Sequence, residues 1–141
     1  MNRRKSREQA FVFLFESTFG FQSTEEIIEN AGIAREDKLS DFAKELFDGT
    51  LNYQNEIDEC IERNLNGWNK DRLSRTTLSI LRLAGFEMMF SEENPISVAI
   101  NEAVELAKKY STKEEASYIN GVLGSISKNI KDKNLDSSLA K

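Results

Sequence analysis

The feature that most constrains this chain is the spacing of its apolar residues, which recur every three or four positions along nearly all of its 141 residues. That period belongs to amphipathic helices, and no stretch shows the strict alternation of a half-buried strand. Helix breakers are few, with one proline and seven glycines in the whole sequence. Several helices must therefore follow one another through short connections, and the chain reads as an all-α bundle. Composition agrees: 39% of the residues are apolar and 30% are charged, the balance of one folded domain of ordinary size.

Start and stop signals divide the pattern into about seven helices. The first runs from about Ser6 to Phe19, with Ser6 and Gln9 spaced as a capping box and Gly20 as its end. Ser23 with Glu26 opens a short second helix that stops near Gly32. A stripe of Leu39, Phe42, Leu46, Thr50, Tyr53, Ile57, Ile61 and Leu65 predicts two helices in near-continuation. They are broken around Gly49 to Asn55 and finished before Asn66-Gly67. Another helix covers about Ser74 to Phe90. Pro95, after Asn94, takes the first position of a helix that buries Ile96, Ala99, Ile100, Ala103, Ala107 and Tyr110. Ser111 with Glu114 caps a last helix, whose inward face is Ile119, Val122, Leu123, Ile126 and Ile130. Residues 1–131 form one domain, and the polar residues 132–141 form a flexible tail.

Several function classes fall away. Histidine is absent, which removes the commonest general base and the commonest transition-metal ligand. Cys60 is the lone cysteine, so no internal disulfide forms; it lies on a helical stripe, reads as core and suits a reducing compartment. The longest apolar run, Ala10 to Phe15, is far short of the roughly 20 residues of a membrane span. The basic start lacks a cleavage pattern, so a cytoplasmic location is expected. The carboxylate pairs Glu102/Glu105 and Glu114/Glu115 read as solvated helix faces, with no nucleophile or metal cluster beside them. Neither an enzyme nor a cofactor is expected. Gly121-Val122-Leu123-Gly124 matches a G-x-x-G string, but within an apolar helical stripe it reads as close helix packing. Asn101 reads as a buried hydrogen-bonding residue that fixes the packing of helices.

Charge is distributed unevenly. The net charge is −5, yet Arg3, Arg4, Lys5 and Arg7 place four positive charges in the first seven residues, which leaves the rest at −9. An acidic body with a basic tip points to one local contact with an anion. The tip also opposes the helix dipole, whose N-terminal end already carries partial positive charge. A solvated terminus remains the plain alternative. Arg3, Arg4 and Arg7 share one side of a helix extended to this end, and guanidinium groups both fork onto phosphate and stack on bases. Tyr118, at the edge of the last apolar stripe, and Tyr110, closing the preceding helix, could offer ring faces near a turn that carries Lys113. Rings beside cations are what single-stranded RNA requires, because splayed bases stack while cations hold the backbone. For Tyr110, core packing is an equal reading.

These features resemble a known family. Arg3-Arg4-Lys5-Ser6-Arg7-Glu8 before an apolar helix, and Ile80-Leu81-Arg82-Leu83-Ala84 leading into Phe86-Glu87-Met88, are similar to segments of the NusB transcription antitermination factors. So are the run from Val98 to Tyr110, Val-Ala-Ile-Asn-Glu-Ala-Val-Glu-Leu-Ala-Lys-Lys-Tyr, and the closing Tyr118-Ile119-Asn120-Gly121-Val122-Leu123. The resemblance implies two packed three-helix subdomains, about 1–67 and about 68–131, with Trp68 covering their junction. It implies binding of the boxA element of nascent RNA, notably ribosomal RNA, within the RNA polymerase antitermination complex. The partner would be the small-subunit ribosomal protein that doubles as Nus factor E. By position, Arg3, Arg4, Lys5 and Arg7 match the family's arginine-rich RNA segment. Tyr110 and Tyr118 match RNA-facing aromatic positions that are usually phenylalanine, and Glu114 falls where an aspartate is often found. Lys113 lies in the same turn. Phe15 and Thr77 fall in the region that meets the ribosomal protein, with Phe15 where some members have tyrosine and Thr77 where some have an acidic residue. The rival reading is a helical protein-interaction module whose acidic face docks a partner.

Overall fold

In a computed structural model of the chain, residues 2–20, 39–65, 70–91 and 94–139 are described, with 131–139 described in backbone alone. These residues form six α-helices and one short 3-10 turn. The helices are α1 (Arg3–Ser17), α2 (Asp41–Asn52), α3 (Gln54–Arg63), α4 (Arg75–Phe90), α5 (Ile96–Tyr110) and α6 (Lys113–Leu139), with the turn at Lys70–Arg72 before α4. The helix expected from Ser23 to Gly32, the Asn66-Gly67 stop and Trp68 lie outside the described residues.

The helix α4 organises the rest. It packs against each of the other five helices, and ten of its residues are buried, from Thr77 through Ile80, Leu81 and Leu83 to Met88. A helix buried on every side has no polar stripe, and α4 carries only Arg75, Arg82 and Glu87 as charges along its length. Its antiparallel neighbour is α1: Arg7 meets Glu87 near one end, and Arg75 donates to the Thr18 carbonyl at the other. The helix α2 runs parallel to α1, with Ser6 against Ser40 and Phe13 edge-on to Phe47 at 5.7 Å between ring centres. On the far side of α4 lie α5 and α6, packed against each other.

The break between α2 and α3 falls at Tyr53, inside the expected window. Cys60 is buried as expected. The inward face of α6 matches its stripe, with Ile119, Val122, Leu123 and Ile126 buried. Its helical backbone continues to Leu139, past the expected end near Lys131. Gly20 closes α1 with φ +96°, a conformation that costs glycine nothing. The phenylalanines of α1 divide among three directions: Phe13 onto α2, Phe11 onto Tyr110, and Phe15 onto Phe19.

Four expectations need correction. The helix α1 begins three residues earlier than Ser6, because the Asn2 side chain accepts from the Lys5 amide and caps it there. Ser6 and Gln9 serve another helix. Ser6 is buried against the Ser40 hydroxyl at 2.7 Å, and Gln9 Oε1 accepts from the Ser40 amide, so together they hold the N-cap of α2. The cap of α6 is Thr112 to the Glu115 amide, one position beyond Ser111 and Glu114. Pro95 is likewise the residue before the first turn of α5, which buries Leu106 while Tyr110 stays 40% exposed. Lastly, Gly121 and Gly124 are exposed, and a Cβ at either would meet no atom within 4 Å, so close packing does not account for them.

The glycines therefore separate by sign. A Cβ at Gly49 would lie 2.2 Å from the Phe86 ring, so Gly49→Ala should destabilise by about 1–3 kcal/mol through overpacking. Gly121→Ala and Gly124→Ala should each stabilise by about 1 kcal/mol, since alanine is the better helix former and has room. Urea midpoints of the three variants check both signs.

Candidate nucleic-acid interface

Extension of α1 to Arg3 places all four tip cations within its first two turns, where they stand against α5 and the end of α4. The structure gives them different roles. Arg7 is 4% exposed, and its Nε donates to Glu87 Oε1 at 2.9 Å and Oε2 at 3.1 Å. The same carboxylate accepts from Asn94 Nδ2 at 3.1 Å. Burial raises the Glu87 pKa above its ordinary value, while the Arg7 charge and hydrogen bond oppose that shift. An arginine in this position is part of the interior. The expectation of four surface cations is corrected to three.

Arg3, Arg4 and Lys5 are exposed. Arg3 donates to Asn94 Oδ1, and its guanidinium lies 4.4 Å from the centre of the Phe42 ring. Arg4 forks onto Glu102, with Nε and Nη2 at 3.1 and 3.0 Å from the two carboxylate oxygens. Glu102 is thus an ion-pair partner, not the solvated face expected of it. The ammonium of Lys5 has no hydrogen bond or ion pair among the described residues. One turn on, Glu8 gathers two groups from the end of α5: the Lys109 ammonium at 2.5 Å and the Tyr110 hydroxyl. Those hydrogen bonds hold the Glu8 carboxyl below its ordinary pKa, Lys109 contributing most. Burial and the bond to Glu8 push Tyr110 up to about 12, so its hydroxyl stays a donor at any ordinary pH.

The N-terminal segment therefore meets the length of α5. Arg4 and Glu8 lie along Glu102, Lys109 and Tyr110, about a hundred positions away in sequence. The Tyr110 ring packs on Phe11, 4.8 Å between centres, and carries the Lys109 ammonium 5.6 Å from its centre, while the residue stays 40% exposed. Lys113 and Glu114 are exposed at the start of α6. Tyr118 is half-buried against the core, and its hydroxyl is enclosed without a hydrogen-bond partner among the described residues. Of the two residues assigned to a protein partner, Phe15 is half-buried between Phe11 and Phe19, while Thr77 is 2% exposed and faces the interior. The sequence reading missed Phe19, 53% exposed with the Arg75 guanidinium 4.3 Å above its ring. Among the described residues no cluster of acidic or cysteine side chains could hold a metal ion, and no helix is long and apolar enough to cross a membrane.

The electrostatics make two predictions. Arg7→Met strands Glu87 in the interior and should destabilise the fold by about 3–5 kcal/mol, whereas Arg7→Met with Glu87→Leu should recover most of that loss. Chemical denaturation of both variants is the measurement. Glu8 carries a lowered folded-state pKa, so its contribution is complete above its unfolded value and disappears as pH falls through the folded one. Glu8→Gln should therefore lose less stability than the parent between pH 7 and about pH 3.

Comparison with known proteins follows the same outline. The sequence pattern of the NusB family matches residues 4–128. The chain is 44% identical over 140 residues to transcription antitermination protein NusB of Clostridium botulinum (strain Kyoto / Type A2), spanning 88% of this chain and 98% of that one. Among solved structures, NusB of T. maritima superposes with a TM-score of 0.78 at 35% identity, over 91% of this chain and 92% of that one. A chain from the complex of antitermination factors NusB and NusE with double-stranded RNA superposes with a TM-score of 0.76 at 29% identity, over 90% and 96%. With the pattern and the fold in agreement from Arg4 to the body of α6, the chain belongs to the NusB family of transcription antitermination proteins.

Proposed function

We propose that this protein binds the boxA element of nascent RNA, ribosomal transcripts above all, as single strand. It acts in the cytoplasm beside the small-subunit ribosomal protein NusE, within the RNA polymerase antitermination complex. The observation that carries this reading is the junction of the α1 start with α5, where exposed Arg4 and Lys5 stand on the same helix as Glu8, which holds an anchored and 40% exposed Tyr110. Cations that grip phosphates next to a ring that stacks on a base are the minimum for single-strand recognition. The NusB and NusE complex with RNA among the structural relatives supports the same partners.

Roles then follow from placement. Arg3, Arg4 and Lys5 contact phosphates, and Arg7 holds the helix that presents them. Tyr110 stacks on a base, Lys113 and Glu114 border the site, and Tyr118 backs it from the core rim. The ribosomal protein meets Phe15 together with Phe19, while Thr77 supports that surface from behind. The phenyl ring of Phe15 offers only apolar contact there. The two subdomains divide across α4, which belongs to the second and packs on both.

Three phosphate contacts at about 0.7 each predict a slope near −2 when log affinity is plotted against log salt. Arg4→Ala with Lys5→Ala should lower that slope to near −1 and leave NusE binding intact. Tyr110→Ala should weaken RNA binding by about 1–3 kcal/mol, and Tyr110→Phe should restore it, because the ring carries the contact. Anisotropy titrations with labelled boxA RNA measure all three. A parent slope near zero, or NusE binding with no RNA binding, assigns the protein to interaction alone.

A further inference from the structure

Arg4 and Arg7 of the tip face carboxylates of their own chain, but the opposite flank of α5 carries hydrogen-bonding groups that no described residue uses. Between α5 and α6 lies an open groove of about 710 Å³, within the range of small-ligand sites. Its floor is apolar, made by Ile100, Val104 and Ala116. At 100° per residue, its α5 wall of Asn101, Val104 and Lys108 stands roughly opposite the face of Glu102, Leu106 and Lys109 that meets α1. The groove and the tip are thus separate surfaces of the same helix.

The lining chemistry is selective. No carboxylate lines the groove, although the chain as a whole carries −5. Lys108 and Lys113 stand at the end next to the α5–α6 turn. Lys113 has no ion pair among the described residues, and Lys108 reaches only Glu105, at 3.5 Å. The walls present Asn101 and Asn120, one from each helix, and neither amide has a hydrogen-bond partner among the described residues. Asn101, read from sequence as a buried packing residue, is exposed here. A primary amide is donor and acceptor at once, which matches the edge of an unpaired base; lysine matches the phosphate beside it. A small apolar floor between two such amides suits a base plane better than the long apolar ridge of a docked helix.

We infer that this groove is a second RNA subsite, holding unpaired nucleotides that flank the segment gripped at the tip. It takes single-stranded RNA, and the strand reaches it around the α5–α6 turn past Tyr110 and Lys113. Asn101 and Asn120 hydrogen-bond base edges, and Lys108 and Lys113 hold the phosphates. The inference rests on the RNA-binding reading above and extends it to a second surface.

The test compares single-stranded RNAs of about eight nucleotides carrying boxA with RNAs lengthened by about four nucleotides at the 5′ or the 3′ end. In the parent protein, one of the two extensions should tighten binding about tenfold. In the Asn101→Ala/Asn120→Ala variant that gain should vanish, while the short RNA binds as before and thermal stability holds, because neither amide supports the fold. A variant that keeps the gain, or a parent that gains nothing from either extension, overturns the inference and leaves the tip site standing. Weakened NusE binding with unchanged RNA binding makes the groove a protein dock and overturns it as well. No binding of the short RNA by the parent defeats the reading on which the inference stands.

Discussion

The structure depends on burying one helix on every side. Ten of the sixteen residues of α4 are buried among five neighbouring helices, so its sequence fixes where those neighbours can lie. Gly85 brings α3 close, with Ile57 Cγ2 3.0 Å from where a Cβ would stand, and Gly49 on α2 accepts the Phe86 ring in the same way. Thr77, Ser79 and Glu87 are polar residues inside this interior, and of the three only Glu87 has found a charge. Removal of that charge from water is expensive, and the geometry with Arg7 offsets the cost. Because α1 provides the arginine, it cannot slide or turn against α4 without exposing the debt. The direction of the exposed tip is therefore set by a bond made in the core.

This changes what the basic tip is. From the sequence it is a block of four like charges set against a helix dipole, and the natural inference is repulsion relieved by an outside anion. In the fold, Glu87 and Glu102 approach from α4 and α5 and pair with Arg7 and Arg4, so part of the repulsion is relieved internally. The acidic surplus of the remaining chain is partly the counter-charge of its own beginning. No local reading reveals this, since the partners lie 80 to 98 positions away.

Periodicity locates helices because burial acts on every turn, and here it found the stripes of α2, α3 and α6 and the break at Tyr53. It fails where one side chain has two possible employers. Ser6 is a good N-cap by type and spacing, yet Asn2 caps the helix and Ser6 turns inward to Ser40. The Thr112 cap displaces Ser111 by one residue because both are capping types and only backbone geometry separates them. Asn101 lies one residue from a buried-facing stripe, and the sequence does not say whether a third helix covers it. Tyr110 packs on Phe11 as the core reading expects, yet 40% of it stays exposed. The meeting of the α1 start with α5 is a property of topology, which no local pattern carries.

Internal neutralisation has a consequence for selectivity on the RNA-binding reading. Salt-dependent attraction to any polyanion scales with the cations free to release counterions, and carboxylates beside Arg4 and Lys109 reduce that number. Affinity for an arbitrary RNA is lowered by the same groups that hold the side chains in place. A strand that offers only phosphates must compete with Glu102 for the Arg4 fork. A strand that also places a base on Tyr110 gains a contact that no carboxylate in the fold imitates. Discrimination then rests on the bases, and the acidic body contributes by making charge alone insufficient.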